Sequence, residues 1–285
     1  MGIVVREATG ADVSECGRIC YEAFKAIAEA HNFLPDFPDV DRATAAIRAV
    51  TGSAEFYGVV AESDGKVVGS NFLDERNAVS GVGPITVDPE AQNNRIGARL
   101  MRAVIERSQS KNFAGTRLVQ AGYHCRSLSL YMRLGFDVRE HLVCLQGSPL
   151  LVTVPGCKVR QATPGDEEAC NALCTRVHGF ARGGELRGAV LQGNARVVER
   201  NGRITGYATA IAFFGHAVGA TNDDLMALIA AAEMFPGPGF LVPSRNGELF
   251  RWCLGHGLRV RQTLTLMTMG LYGEPQGAWL PSILY

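Results

Sequence analysis

Hydrophobic and polar residues alternate along the chain in a pattern that predicts short strands and amphipathic helices. The clearest helix runs over about 96–111, where apolar residues recur at helical spacing. An apolar strand at 82–87 and a polar turn at 92–95 come before it. Free amides at a helix start carry partial positive charge, so this strand, turn and helix predict an anion site.

The other elements of the first half follow from the same pattern and from its turn residues. A capping-box sequence at 9–12 opens the first helix, and two prolines make 31–41 a loop. The turn Ser63-Asp64-Gly65 predicts a hairpin. The predicted strands are 3–6, 56–62, 66–74, 117–122 and 136–145, and two further helices cover 42–50 and 126–134.

The second half repeats the first in three segments that keep their order. Residues 159–166 (VRQATPGD) repeat 5–12 (VREATGAD), and strands at 195–200 and 203–214 mirror the first hairpin. The sequence GLRVR at 257–261 echoes GFDVR at 135–139. A tandem duplication explains this order better than chance. We therefore predict one domain at 1–147, a linker at 148–156 and a second domain at 157–285.

The second copy lacks the polar turn. Its corresponding helix starts on Asn222, Asp223 and Asp224, and two acids at a helix N-terminus repel an incoming phosphate. We expect no cofactor in the second half.

Composition indicates an ordinary soluble protein with a sizeable core. The 28 basic residues equal the 28 acidic residues in number, so no bulk charge favours nucleic acid or an anionic membrane. The eight cysteines have no His or Asp spacing that completes a zinc set, so no metal site is expected. The N-terminal sequence lacks the pattern of a signal peptide, which makes the cytoplasm the default location.

The polar turn and its helix resemble the GNAT (Gcn5-related) N-acetyltransferases. Members carry Gln or Arg, two residues, Gly, one residue and then Gly or Ala at the pyrophosphate of acetyl-CoA. The matching positions here run from Gln92 to Gly97, followed by Ala98, and Arg95 replaces the first Gly. That replacement keeps the amide groups but changes how closely the backbone can approach a ligand. Alternatively, Arg95 adds a charged contact to a CoA phosphate.

A second segment, HCRSLSLYMRLGF at 124–136, resembles the family's NxxAxxLYxxLGF. His124 takes the place of Asn, and Ser127 takes that of Ala. The LY and LGF segments, at 130–131 and 134–136, match directly. In the family, the Tyr at the place of Tyr131 lies near the CoA sulfur and can protonate the departing thiolate. The second copy has Cys253 at the corresponding place.

The resemblance implies a mixed α/β (α+β, GNAT-like) fold in two tandem domains, each a mostly antiparallel sheet flanked by helices. It implies acetyl-CoA as cosubstrate, with the backbone of residues 85–87 pairing with pantetheine like an added strand. Tyr131 is the implied catalytic residue. The implied cofactor-binding residues are Ile85, Thr86, Val87, Gln92, Asn93, Asn94, Arg95, Ile96, Gly97, Ala98, His124 and Ser127.

The acceptor side is less defined by the sequence. Phe33 and Phe37 lie in the loop where the family's acceptor-binding segment falls, and Asp74 ends the third strand. These three are the candidate substrate-binding residues, with a capped surface loop as the alternative. Candidate general bases are Glu22, Asp74, Glu75 and His124, although many family members instead use water.

The sequence thus predicts an N-acetyltransferase that moves an acetyl group from acetyl-CoA to a primary amine of a small molecule by direct attack. The alternative is a non-catalytic acyl-CoA sensor or assembly protein. We expect no nucleic acid or membrane partner, and a monomer or homodimer. The apolar tail at 273–285 is expected to pack back on the protein.

Overall fold

The computed structural model describes residues 2–284. The strands are β1 (Ile3–Glu7), β2 (Phe56–Ser63), β3 (Lys66–Asp74), β4 (Val79–Val82), β5 (Thr86–Val87), β6 (Gly115–Ala121), β7 (Asp137–Gln146), β8 (Lys158–Gln161), β9 (Arg196–Arg200), β10 (Arg203–Ala208), β11 (Ala217–Gly219), β12 (Phe240–Pro243), β13 (Arg259–Gly270) and β14 (Ala278–Leu280). The helices are α1 (Val13–Ala30), α2 (Val40–Thr51), α3 (Ile96–Ser110), α4 (Cys125–Arg133), α5 (Glu167–His178), α6 (Gly183–Leu191), α7 (Asn222–Ala230) and α8 (Gly247–Gly255).

The strands form two sheets. A nine-stranded sheet has the order β1-β2-β3-β4-β6-β13-β7-β12, with β5 attached to β3. A five-stranded sheet has the order β14-β11-β10-β9-β8. Within residues 2–284 the only parallel pair is β4 with β6. The mixed, mostly antiparallel sheets with flanking helices confirm the predicted fold class.

The two halves of the chain exchange strands in the middle of the large sheet. Strand β13 comes from the second half, yet it pairs with β6 on one side and β7 on the other. Strand β7 comes from the first half and pairs with β12 of the second. Each half thus contributes a long strand to the sheet of the other, so the sheets do not divide at the predicted linker.

The duplicated sequence segments fold alike. Thr9 and Asp12 form a capping box, and Arg6 donates to both Asp12 oxygens at 2.9 and 2.8 Å. In the second half Arg160 donates to both Asp166 oxygens at 2.7 Å, next to a second box. The arginine lowers the pKa of Asp12 to about 2, so each box holds an ionised carboxylate.

Most predicted elements have their expected positions, with three differences. Helix α2 starts at Val40, before the predicted 42, because the Asp39 side chain caps it by accepting from the Arg42 amide at 2.8 Å. The predicted strand at 203–214 is wrong beyond Ala208, where β10 ends. The predicted strand at 82–87 is two short strands, β4 and β5, separated by three residues.

Two apolar layers cover the first-half sheet. One face packs against α3 and α4 through a cluster that includes Leu100, Leu118 and Tyr131. The opposite face packs against α1 and α2 around Cys20 and Ile47. We call these the α3 face and the α1 face. The start of α3 lies beside β5, since a Cβ at Gly97 would meet the Val87 side chain at 3.9 Å.

The cysteines are all free thiols, and those on α1 and α5 are buried small hydrophobic residues. Among residues 2–284, no cluster of His, Cys, Asp or Glu could hold a metal ion. In the same part of the chain, no helix combines the length and the apolarity needed to cross a membrane.

Candidate functional site

The strand that leads to α3 is interrupted between β4 and β5, and β5 does not continue the pairing of β4 with β6. Strand β4 pairs in parallel with β6 over Val79–Gly81 and Gly115–Arg117. The chain then bends at Gly83, whose φ of 143° suits glycine, and the Gly83–Pro84 peptide is cis. Past this bend, β5 pairs with β3, through Ser70 with Thr86 and Gly69 with Val87.

This break opens a V-shaped slot between β5 and the outer part of β6. Within the described residues, β5 has no strand partner on its β6 side. The segment 118–121 of β6 pairs with β13 but not with β4. Both inner edges of the slot therefore present backbone groups that an extended ligand can pair with.

The polar turn at 92–95 is held by side chains. Asn93 and Arg95 are left-handed, with φ of 73° and 59°. Arg126 of α4 donates to the Asn93 side chain at 3.0 Å and to the Gln92 side chain at 3.3 Å. Asn94 donates to the Ala91 carbonyl at 3.1 Å. These contacts use side chains and a carbonyl, so they leave the amides of the turn available.

The start of α3 carries no protein cap. Its N-cap residue is Arg95, whose side chain makes no capping bond, and its first turn contains no acid. Ile96 is buried in the core and fixes the helix start. The amides of the first turn therefore form a positive end with no competing carboxylate. A Cβ at Gly97 would meet Leu130 at 3.5 Å and Val87 at 3.9 Å, so this glycine lies between β5 and α4.

Tyr131 lies on α4 in the cluster that lines the α3 face. It is 5% exposed and packs edge-on against Phe136, with ring centroids 6.3 Å apart. Burial raises the pKa of Tyr131 to about 12, and a hydrogen bond with Ser127 opposes part of that rise. The phenol is therefore a proton donor at neutral pH.

His124 and Ser127 are both half-buried at the start of α4. His124 is the N-cap residue, and its side chain makes no capping bond. Burial first, and then the neighbouring Arg126, lower the pKa of His124. The imidazole is therefore neutral at pH 7, which is the form that can accept a proton.

The acidic candidates for a general base are held in ion pairs. Both oxygens of Glu75 accept from Arg107, at 2.7 and 3.0 Å. Glu22 accepts from Arg18. Arg76 contacts both oxygens of Asp74, and it also approaches Glu185 of the second half at 3.5 Å. The oxygens of these carboxylates are occupied by guanidinium groups, which leaves His124 as the candidate whose side chain is least engaged.

The predicted acceptor residues lie apart from one another. Phe33 stacks on Tyr123 at the end of β6, with centroids 4.5 Å apart and planes inclined by 15°. Phe37 packs against Phe24 of α1 at 6.1 Å. Asp74 belongs to the interdomain ion pairs. The structure thus brings Phe33 to the end of the slot strand, but not the other two.

The tail of the chain reaches the slot on the α1 face. A Cβ at Gly81 would lie 2.1 Å from the Leu284 carbonyl oxygen, and one at Gly83 would lie 3.7 Å from the Leu284 side chain. Residue 81 must therefore be glycine for residue 284 to pass over it. The tail packs back as expected, and Trp279 is buried. Tyr285 lies outside the described residues.

Sequence reasoning missed Gln120 on the open segment of β6. It is 6% exposed, and neither its amide nitrogen nor its amide oxygen has a partner in the described chain. Its cross-strand neighbour is Thr265. A polar residue inside the apolar run Leu118-Val119-Gln120-Ala121 was the signal that could have found it.

In the second half, an additional strand lies in the gap that corresponds to the slot. Strand β14 pairs antiparallel with β11, with Leu280 opposite Ala217 and Ala278 opposite Gly219. It packs in one cluster with Val242 of β12, so it lies between β11 and β12, and a cavity of about 380 Å³ lined by Thr221, Asn246 and Trp279 remains beside it. At the start of α7, Asp224 accepts from the Thr221 amide at 2.9 Å in a capping box.

Part of the chain matches a known family model, and the whole chain resembles solved structures. Residues 21–136 match the model of the acetyltransferase (GNAT) family. No curated protein matches the sequence of the chain. A candidate acetyltransferase from Pyrococcus horikoshii has a TM-score of 0.74 at 16% identity, covering 95% of this chain and 90% of its own. A GCN5-related N-acetyltransferase from Sphaerobacter thermophilus has a TM-score of 0.63 at 17% identity, covering 95% of this chain and 96% of its own.

The fold and the family match together define an acyltransferase. Residues 21–136, which match the GNAT family model, contain the slot, the polar turn and Tyr131. The structural likeness to the two solved proteins extends over both halves, so the second half shares their fold.

Proposed function

We propose that the first half transfers an acetyl group from acetyl-CoA to a primary amine of a small molecule by direct attack. The observation that carries this proposal is the uncapped start of α3 at the mouth of an open slot. Its free amides fit a pyrophosphate, because nothing acidic from the chain competes for them. The free edges of β5 and β6 fit an extended pantetheine arm.

When bound, acetyl-CoA supplies an activated thioester carbonyl. The chain contributes position, charge and a proton. Backbone groups near Val87 hold the thioester, and the amide there stabilises negative charge on the carbonyl oxygen. Tyr131 supplies a proton to the leaving sulfur, which a buried, protonated phenol can do. The incoming ammonium loses its proton to His124 or to water, since the carboxylates are already paired.

The second half is proposed to shape the acceptor side and to bind no cofactor of its own. Two features support this: β14 lies in the gap beside β11, and Thr221 and Asp224 form a capping box at the start of α7. The domain limits of 1–147 and 157–285, the cytoplasmic location and the monomeric or dimeric state all stay predictions.

Thiol release from acetyl-CoA with a panel of small amines tests the activity. We expect turnover with at least one amine and a fall in kcat of about 100-fold in Tyr131→Phe, since losing a general acid costs about that much. Cys253→Ala, at the corresponding place in the second half, is the matched control and should keep the wild-type rate. CoA binding without turnover on any amine would favour the sensor instead.

The pH profile tests the role of Tyr131 separately. A pKa raised to about 12 keeps the phenol protonated through neutral and mildly alkaline pH. The rate should therefore show no fall due to Tyr131 below about pH 10, the usual pKa of a phenol. An alkaline fall near pH 8 that disappears in Tyr131→Phe would contradict the assignment.

A further inference from the structure

Gln120 has a buried side-chain amide that makes no hydrogen bond within the described residues. Each of its two polar atoms is shielded from solvent, and neither has a partner among residues 2–284. Leaving such groups unpaired destabilises a protein, whereas an apolar side chain of the same size would not. The position therefore carries a cost that packing alone does not explain.

Gln120 lies on the strand that borders the slot. Its strand pairs with β4 only up to Arg117, so residue 120 lies three residues into the open segment. Side chains alternate along a strand, which puts Gln120 on the same face as Leu118. Leu118 belongs to the cluster that also contains Tyr131 and Ile96, the residue that starts α3. Gln120 thus lies on the α3 face of β6, the strand that forms one side of the slot.

A side-chain amide offers one carbonyl acceptor and an NH₂ donor side by side. A secondary amide presents the complementary pair, and the pantetheine arm of CoA contains two such groups. We propose that Gln120 is a positioning residue that hydrogen-bonds a pantetheine amide in the slot. This assignment rests on the proposed function, because it takes a CoA thioester as the ligand.

The test uses Gln120→Met, an apolar substitution of similar length, in the full chain. Binding of CoA and of acetyl-CoA is measured by calorimetry, and thermal unfolding is measured without ligand. We expect both ligands to bind about fivefold to tenfold more weakly, which is the usual size of one or two lost hydrogen bonds. The melting temperature should stay unchanged or rise, because an unpaired buried amide has been removed.

Thr116→Val is the matched control. Thr116 lies on the same strand and face, within the segment paired with β4, and its hydroxyl has partners in Ser108 at 2.6 Å and Ser80 at 3.1 Å. Its removal should lower the melting temperature and leave CoA affinity unchanged. Gln120→Leu repeats the measurement if the methionine variant does not fold.

Three results would overturn the inference. Unchanged affinity for CoA in Gln120→Met would show that Gln120 does not contact pantetheine. A lower melting temperature together with unchanged affinity would show that Gln120 has a structural role. Weaker binding of acetyl-CoA alone would move the contact from pantetheine to the acyl group. If the wild-type chain bound neither CoA nor acetyl-CoA, the proposed function itself would fail.

Discussion

The starts of α3 and α7 occupy equivalent places in the two halves and differ in what occupies their free amides. At α3 the N-cap Arg95 makes no side-chain bond, and no acid lies in the first turn. At α7, Asp224 accepts from the Thr221 backbone and also from Thr205 at 2.6 Å. One helix start is left open to a ligand, and the other is satisfied by the chain itself.

The slots beside these helices differ in the same direction. In the first half β5 leaves β6 and both inner edges stay open. In the second half β14 pairs with β11 and packs against β12. At both places the second half has contacts within the protein where the first half has free backbone groups.

The exchanged strands provide the strongest test of how far the halves are separate. A chain of residues 1–147 alone would lack β13, so β6 and β7 would each lose the partner between them. We expect this fragment to be insoluble or unfolded, since open edges aggregate and half of the sheet contacts are missing. Circular dichroism and urea unfolding measure this outcome.

Co-expression with residues 148–285 is the control for that fragment and should restore a soluble complex. A fragment 1–147 that unfolds cooperatively on its own would show instead that β13 is dispensable.

Gly97→Asp converts the open helix start into a copy of its counterpart, because Asp223 holds the equivalent second position of α7. The added Cβ meets only ordinary contacts, so the change introduces mainly charge. We expect CoA affinity to fall by about 10- to 100-fold, since unit charges about 5 Å apart near a surface interact by a few kcal/mol.

The neutral variant Gly97→Asn separates charge from size and should lose far less affinity. If both variants lost affinity equally, crowding rather than charge would explain the effect. Calorimetry at two salt concentrations adds a second criterion, because only a charge effect weakens with salt.

Arg95→Gly should produce the smallest change. Residue 95 has a left-handed backbone, which glycine adopts without strain but arginine does not. Glycine also loses more entropy on folding, so the two effects nearly cancel. We expect stability to change by less than about 1 kcal/mol in urea unfolding.

The effect of Arg95→Gly on CoA affinity then decides between the two roles considered for this residue. A severalfold loss that disappears at high salt would indicate a charged contact with a CoA phosphate. Unchanged affinity would make Arg95 a tolerated substitute for glycine.

The sequence predicted the fold class and the resemblance to the matched family because those depend on local signals. Helical spacing, the Asp64-Gly65 turn and the Tyr131–Phe136 segment are each read within a few residues. The strand exchange was not predictable, because the pattern of β13 shows that it is a strand but not which edge it pairs with. The role of Gly81 was equally hidden, since it depends on a residue 203 positions later reaching the same point.

For the candidate site, the pattern located the turn and Tyr131 but not the partners that surround them. Ion pairing of Glu22, Asp74 and Glu75 depends on arginines on other elements. Such contacts follow from the packing of α1, α3 and the second half, which no local pattern reports. The unpaired state of Gln120 is likewise a property of the assembled sheet.

The place of β13 in the sheet also sets an order of events during synthesis. A ribosome makes residues 115–146 well before residues 259–270, so β6 and β7 exist for some time without the strand that joins them. At about 5–20 residues per second, the interval is on the order of 10 seconds. Until the second half emerges, the nascent first half therefore has unpaired edges on β6 and β7. Chaperones that shield such edges should associate with this chain while it is being translated.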